Sequence, residues 1–234
     1  DAAVRELDRA IGQLGALGVQ IFTNVNGRAL DHPRFEPLFA RMAELNRPIW
    51  VHGARGFLRP DFEDEEQSRY GLWLGLGWPF EMSLFMCRLA ASGILDRYPN
   101  LRILTHHGGG MIPNLGQRFN PGPTAYCGPG HEDELASYGR LKKRPIDYLH
   151  MFYADTCVGA APIAIQASLQ FFGADRLLFA SDWPYGGKPR VGSLPDTIQV
   201  VEQLDISETE RRQIFAGNAQ RVLGAKSTAQ ENIA

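Results

Sequence analysis

The sequence lacks the features that mark several classes of protein. It contains only three cysteines and no Cys-x-x-Cys pair, so we expect packed, reduced thiols in a cytoplasmic protein rather than a disulfide framework. No apolar run approaches the roughly 20 residues that cross a bilayer, and the first residues do not resemble a signal peptide, so we expect no membrane partner. A large excess of charge of either sign is also missing, because 24 basic against 26 acidic residues give a net charge of −2. Nucleic-acid binding is therefore not expected.

What is present is an alternation of short β-rich runs with longer segments of helical period, which is typical of a parallel α/β sheet or barrel. Helices are predicted over about 4–14, 35–45 and 82–98, and from the capping box at Ser207 and Glu210 to Gly224. No repeat or linker divides the chain, so we predict one domain over 1–234. Five runs are predicted as strands: 19–23, 48–52, 101–106, 152–155 and 176–181.

Side chains able to bind a metal or transfer a proton follow three of these strands. His52 ends one strand, His106 and His107 end the next, and Asp182 follows the last. In a barrel the carboxyl ends of the strands meet at one mouth, so these groups could meet around one divalent ion. Imidazole and carboxylate ligands suit Zn²⁺, Mn²⁺ or Fe²⁺. Hydrogen-bonded structural histidines are the alternative that spacing alone leaves open.

Several motifs carry a resemblance to a known family. They are the segments PIWVH at 48–52, HHGGGMIP at 106–113, FYADT at 152–156 and LFASDWP at 178–184. With LDHPRF at 30–35, they resemble the amidohydrolase-related family, in the branch of aminocarboxymuconate-semialdehyde decarboxylase and γ-resorcylate decarboxylase. The resemblance runs in order over about 1–224. It implies an α/β fold, a TIM (β/α)₈ barrel of the metal-dependent hydrolase type.

The resemblance also implies roles for residues of this chain. His52 and Asp182 fall on the metal ligands of the fifth and eighth strands. Counting back from Pro113 selects His107 as the group that activates water or moves a proton to the substrate, with Asp182 as a second catalytic candidate. His106 is then a packing neighbour, although spacing does not exclude it from that role.

Three further residues remain candidates with open alternatives. Arg118 lies where the decarboxylase branch has an arginine that reaches a substrate carboxylate in the neighbouring subunit, and a solvated helix arginine is the alternative. Trp78 is expected either in the core or in an apolar wall of the substrate pocket. Asp155 is expected near the barrel mouth, where capping a turn would explain it equally well.

One departure from the family is important. Family members open with a strand that ends in His-x-His, which supplies two metal ligands, and this sequence has no His-x-His. The five predicted strands therefore correspond to strands 4–8, with strands 1–3 missing from the sequence. We expect the chain to be the C-terminal two-thirds of a longer protein, because five strands would leave an open edge and an incomplete metal shell.

The function implied by the resemblance is metal-dependent, non-oxidative decarboxylation of an aromatic or unsaturated carboxylic acid. Zn²⁺ is the expected metal and Mn²⁺ the alternative, and a homodimer or higher homo-oligomer is expected. A metal-dependent hydrolase of a lactone, ester or amide is the first rival, because the same residues could activate water. A catalytically inert barrel that acts as a binding subunit is the second, because the His-x-His motif is missing.

Overall fold

Five strands form one parallel sheet in which neighbours in space follow the chain order. The computed structural model describes residues 2–119, 140–185 and 194–224. The five strands are β1 (Val19–Phe22), β4 (Ile49–His52), β5 (Ile103–Thr105), β6 (Tyr153–Asp155) and β7 (Leu177–Leu178). Strands β1 and β4 pair in register from Val19 with Ile49 to Phe22 with His52.

A short antiparallel hairpin, β2 (Asn24–Val25) with β3 (Arg28–Ala29), follows the first strand. Its two turn residues, Asn26 and Gly27, both have positive φ, which an Asn-Gly pair adopts readily. The hairpin therefore lies at the carboxyl end of β1, beside the end of the sheet where the candidate site is expected.

Helices connect and cover the strands. Before β4 these are α1 (Ala2–Leu7), which continues as a π-helical turn (Asp8–Gln13), and α2 (Glu36–Leu45). Between β4 and β6 they are α3 (Leu72–Gly75), α4 (Gly77–Ala91), α5 (Ile94–Arg97), α6 (Ile112–Leu115) and α7 (Pro145–Leu149). After β6 they are α8 (Pro162–Phe172), α9 (Leu194–Glu202), α10 (Glu208–Arg212) and α11 (Asn218–Leu223).

The core lies between the sheet and these helices. Phe39 and Met42 of α2 are fully buried, as is Met86 of α4. Burying each such side chain contributes about 1.5–3 kcal/mol. Tyr148 of α7 is also fully buried, and its hydroxyl donates a hydrogen bond to Asp96 at 2.6 Å. These buried side chains thus pack the helices against the sheet that carries the strand ends.

Most predicted elements are confirmed, and the main differences concern one helix and one strand. The helix predicted over 82–98 is wrong as one element, because it begins at Gly77 and breaks at Gly93, whose φ of +74° ends α4 before α5 begins. The strand predicted over 176–181 pairs only at Leu177 and Leu178. The capping box at Ser207 and the stop at Gly224, where φ is +68°, are confirmed, although the segment Gln213–Gly217 between α10 and α11 is π-helical.

In the described part of the chain, no helix combines the length and apolar character that a membrane crossing requires. Cys87 and Cys157 are both free thiols and not exposed, as expected for packing residues. Cys127 and His131 lie outside the described residues.

Candidate active site at the strand ends

The parallel strands carry polar side chains to one edge of the sheet. His52 is the last residue of β4, His106 and His107 come directly after β5, and Asp155 is the last residue of β6. Because the strands are parallel and paired in order, their carboxyl ends lie side by side. The ring centroids of His106 and His107 lie 5.4 and 5.0 Å from that of His52. The structure therefore brings the three strand-end histidines together, as the sequence predicted.

His52 and His107 face each other through their Nε2 atoms, which are 3.1 Å apart. Each ring also has its Nδ1 close to a backbone carbonyl. His52 Nδ1 lies 2.8 Å from the oxygen of Gly53, and His107 Nδ1 lies 3.0 Å from the oxygen of Cys157. A carbonyl oxygen only accepts hydrogen bonds, so both Nδ1 atoms are the protonated ones. When the two rings are neutral, both Nε2 atoms therefore present lone pairs to each other.

This donor set fits a shared cation. Metal–imidazole bonds of about 2.0–2.1 Å place two ligand nitrogens of one ion about 3.0–3.4 Å apart, and the two Nε2 atoms meet this spacing. Within 2–119, 140–185 and 194–224, however, no group of three or more His, Cys, Asp or Glu side chains is arranged to hold a metal. The described residues could thus supply only part of a metal shell, and the sequence has no His-x-His to add to it.

The electrostatics of His52 favour its neutral, metal-binding form. Burial lowers the pKa of His52, and the nearby His107 and His106 lower it further, while the hydrogen bond to Gly53 and the charge of Asp182 oppose this. Asp182 is exposed and has a φ of +63°, and its carbonyl accepts a hydrogen bond from the Tyr185 amide at 2.7 Å. Its carboxylate is close enough to act on His52 electrostatically, but no hydrogen bond joins the two side chains among the described contacts.

Trp78 packs against the histidine pair. Its ring lies 4.7 Å from that of His52 in an edge-to-face arrangement and is nearly parallel to that of His107 at 6.3 Å. Its Nε1 donates to the Arg55 carbonyl at 3.2 Å, which fixes the orientation of the indole. Trp78 and His52 line a cavity of about 460 Å³ together with Phe22, Asn24 and Arg55. Of the two locations expected for Trp78, the structure thus places it in a pocket wall.

Arg118 is not part of this cavity. It lies on a 3₁₀ turn (Gly116–Phe119) and its side chain is exposed. Its predicted contact with a substrate in a neighbouring subunit stays a prediction. The arginine that does line the cavity is Arg55, whose side chain is only 13% exposed and whose guanidinium lies 3.9 Å from Asp61 and from Glu81. The signal for Arg55 in the sequence was its position three residues after the strand-end His52.

His106 and Asp155 form a second contact beside the pair. His106 Nδ1 lies 3.2 Å from Asp155 Oδ2, but the two groups are not aligned for a hydrogen bond. Asp155 Oδ2 and His106 Nε2 are buried and have no hydrogen-bond partner among the described residues. The other carboxylate oxygen of Asp155 accepts two backbone hydrogen bonds, from Gly108 and Cys157. The sequence placed Asp155 at a strand end but did not show these partners.

Comparisons with known proteins agree with this arrangement. A family model described as Amidohydrolase matches residues 1–225. The 2-amino-3-carboxymuconate-6-semialdehyde decarboxylase of Dictyostelium discoideum is 29% identical over 226 residues, which cover 96% of this chain and 58% of that protein. The γ-resorcylate decarboxylase of Polaromonas sp. is 28% identical, with 95% of this chain and 66% of that protein covered. The chain therefore spans less than two thirds of either relative.

A solved structure shows the same likeness in three dimensions. The 5-carboxyvanillate decarboxylase of Novosphingobium aromaticivorans, complexed with manganese and 4-hydroxy-3-methoxy-5-nitrobenzoic acid, is 26% identical. The TM-score is 0.74, and the match covers 95% of this chain and 60% of that chain. The five parallel strands described above thus correspond to part of a larger fold in that structure.

Proposed function

Because this chain belongs to the amidohydrolase family, and its five strands form part of a TIM barrel of that fold, we propose that it provides the carboxyl-terminal portion of a metal-dependent, non-oxidative decarboxylase. The substrate would be an aromatic or unsaturated carboxylic acid, as in the relatives. The observation that carries the proposal is the pair of Nε2 atoms of His52 and His107, which lie 3.1 Å apart beside Trp78.

His52 and Asp182 are proposed as ligands of a divalent metal. His52 is suited to this because its Nδ1–H is engaged by Gly53, which leaves Nε2 free to bind. The bound ion would supply a positive charge that orients the substrate and stabilises developing negative charge. The manganese of the Novosphingobium structure favours Mn²⁺ over the expected Zn²⁺. The described residues do not complete the metal shell. The remaining ligands are therefore proposed to come from other residues of a longer chain.

His107 is proposed as the proton donor. With Nδ1–H bound to the Cys157 carbonyl, the neutral ring has its lone pair on Nε2, so it must take up a proton there before it can donate one. The bond between the carboxylate and the carbon then breaks, its electron pair stays on that carbon, and His107 delivers its proton there as CO₂ leaves. Trp78 would hold the planar substrate against the histidines. Arg118, in a homodimer, would bind a carboxylate of the substrate in the neighbouring subunit.

The location is proposed from the thiols. Cys87 and Cys157 are both free, which fits the reducing conditions of a cytoplasm.

The first test is the metal content of purified protein, followed by CO₂ release from a panel of hydroxybenzoates and unsaturated carboxylates. We expect bound Mn or Zn and release of CO₂, both lost in His52→Ala and retained in His150→Ala. His150 is a matched control because it is exposed and precedes β6, at the opposite end of the sheet.

Retained metal and turnover in His52→Ala would contradict the ligand assignment. Acid release from lactones or esters without CO₂ would favour the hydrolase, and absence of both activities with no metal would favour the inert barrel.

A further inference from the structure

Asp155 is neither a proposed metal ligand nor the proposed proton donor. It nevertheless contacts two residues that adjoin His107, one through the chain and one through the imidazole ring. Its side chain is buried at the end of β6, and the whole residue is only 1% exposed. Its Oδ1 atom accepts hydrogen bonds from the backbone amides of Gly108 and Cys157, each at 3.0 Å. Gly108 directly follows His107 in the chain, and the Cys157 carbonyl accepts the hydrogen bond from His107 Nδ1.

We propose that Asp155 is a positioning residue, which fixes the orientation and tautomer of His107 by binding the backbone amides of Gly108 and Cys157. The catalytic effect of this positioning rests on the proposed function. The hydrogen bonds that produce it do not. Asp155 Oδ1 thus links the loop that carries the His107 imidazole to Cys157, whose carbonyl orients that imidazole. If either link moved, the Nδ1–H of His107 would lose its partner, and the two ring nitrogens would no longer be distinguished.

The loop needs such a support because its backbone is unusual. His107 has a φ of +56°, and it is followed by three glycines that also have positive φ. A non-glycine residue in this region costs about 1–2 kcal/mol, so surrounding contacts must stabilise it. The Gly108 amide binds Asp155, and the Gly108 carbonyl accepts from Ser168 Oγ at 2.9 Å. Among the described residues, Asp155 and Ser168 therefore make the two side-chain hydrogen bonds to Gly108.

A purely structural role for Asp155 is the competing explanation. The hydrogen bond to Cys157, two residues along the chain, is the kind that an aspartate makes when it caps a turn. The bond to Gly108 is different, because it joins β6 to the loop after β5, 47 residues earlier. A structural role alone would lower stability without changing the state of the His107 ring, whereas a positioning role changes both.

The test compares Asp155→Ala with Asp155→Asn. Asparagine keeps a carbonyl oxygen for the two amides, whereas alanine removes it. The state of His107 is read from its ring ¹⁵N chemical shifts at one fixed pH, in protein without added metal, so the readout does not depend on activity. We expect one protonated Nδ1 in wild type and in Asp155→Asn, and averaged ring nitrogens in Asp155→Ala. Should Asp155→Ala not fold, Asp155→Leu fills the volume without an acceptor and replaces it.

Asn218→Ala is the matched control. Asn218 is also 1% exposed, and its Nδ2 donates to two backbone carbonyls, those of Ala174 and Leu177, both at 2.7 Å. It therefore removes a buried side chain with two backbone hydrogen bonds at another place in the fold. We expect it to lower stability without changing the His107 signals. A single, unchanged Nδ1–H form of His107 in the variant without the acceptor would overturn the inference.

Turnover gives a second readout if the wild type decarboxylates. Loss of the support is expected to lower kcat about 10-fold to 100-fold with little change in KM, and Asp155→Asn is expected to restore most of kcat. If the wild type has no decarboxylase activity, the proposed function fails but the ¹⁵N comparison still decides the inference. A fall in kcat with unchanged His107 signals would overturn the positioning role, because Asp155 would then act by another route.

Discussion

A substitution of Gly110 by alanine should destabilise the protein more than the same substitution at Gly71 or Gly75. Gly110 has φ +65° and ψ −127°, the mirror image of the extended region, which residues with a Cβ avoid at a cost of about 1–3 kcal/mol. An added Cβ would lie 2.5 Å from the carbonyl oxygen of Pro79 and 2.9 Å from Ser83 Oγ. Overpacking of this kind costs about 1–3 kcal/mol more. The expected loss in the free energy of unfolding is therefore about 2–6 kcal/mol.

The two comparison glycines separate the contributions. Gly71 has a φ of +72°, but an added Cβ would have no atom within 4 Å, so Gly71→Ala measures the backbone cost alone, about 1–2 kcal/mol. Gly75 ends α3, has no positive φ, and also has open space around its added Cβ. Gly75→Ala is therefore expected to be neutral or stabilising by up to about 1 kcal/mol.

The assay is urea denaturation followed by tryptophan fluorescence, with linear extrapolation to water for each variant. The order of destabilisation should be Gly110→Ala, then Gly71→Ala, with Gly75→Ala last. A loss for Gly110→Ala that does not exceed the loss for Gly71→Ala would refute the reasoning, because the contact with Pro79 would then contribute nothing. The consequence for the site is direct, since Gly110 belongs to the loop that follows His107.

Three further outcomes are expected. A hydrogen bond from Arg97 lowers the pKa of Glu36 below its ordinary 4.5, so the stability it adds is present above that value and is lost as pH falls through the folded pKa. Glu36→Gln should thus cost up to about 1 kcal/mol at pH 7 in urea denaturation, and the difference from wild type should vanish in acid. Burial raises the pKa of Cys87 to about 12 and also raises that of Cys157, so a maleimide at pH 8 should label these two thiols only after denaturation, as peptide mass spectrometry would show. Tyr148→Phe removes a buried hydroxyl with its hydrogen bonds and should lower the free energy of unfolding by about 1–3 kcal/mol, measured in the same way.

The sheet could be predicted from the sequence because its strands are continuously apolar and each stands between segments of helical period. All five predicted strands exist, in chain order. Prediction failed where hydrophobic periodicity or strand composition continues past the point at which the helix or strand ends. The helical period from Met82 to Tyr98 continues through Gly93, but the positive φ of that glycine interrupts the helix. The strand that begins at Leu177 has the right composition beyond Leu178, yet ladder pairing ends there, and the backbone amide and carbonyl of Ala180 instead bond the hydroxyl of Thr156.

The candidate site could be predicted only in part, for a different reason. Placement at strand ends was enough to bring His52, His106 and His107 together. The contacts that orient the rings are made by backbone atoms of Gly53 and Cys157, and a carbonyl oxygen has no signature in a sequence. Arg118 could not be placed for another reason. Its predicted role depends on a second subunit, and the sequence of one chain does not show how two subunits meet.

The histidine pair bears on the choice between an enzyme and an inert barrel. Two unprotonated nitrogens 3.1 Å apart repel each other unless a positive charge lies between them. A proton shared by the two rings would also serve, and burial, which lowers the pKa of His52, disfavours that proton on His52. A divalent ion bound by His52 Nε2 places such a charge beside His107 Nε2, which stays free to take up and deliver a proton. The facing nitrogens therefore support the proposed metal site, which a catalytically inert barrel does not require.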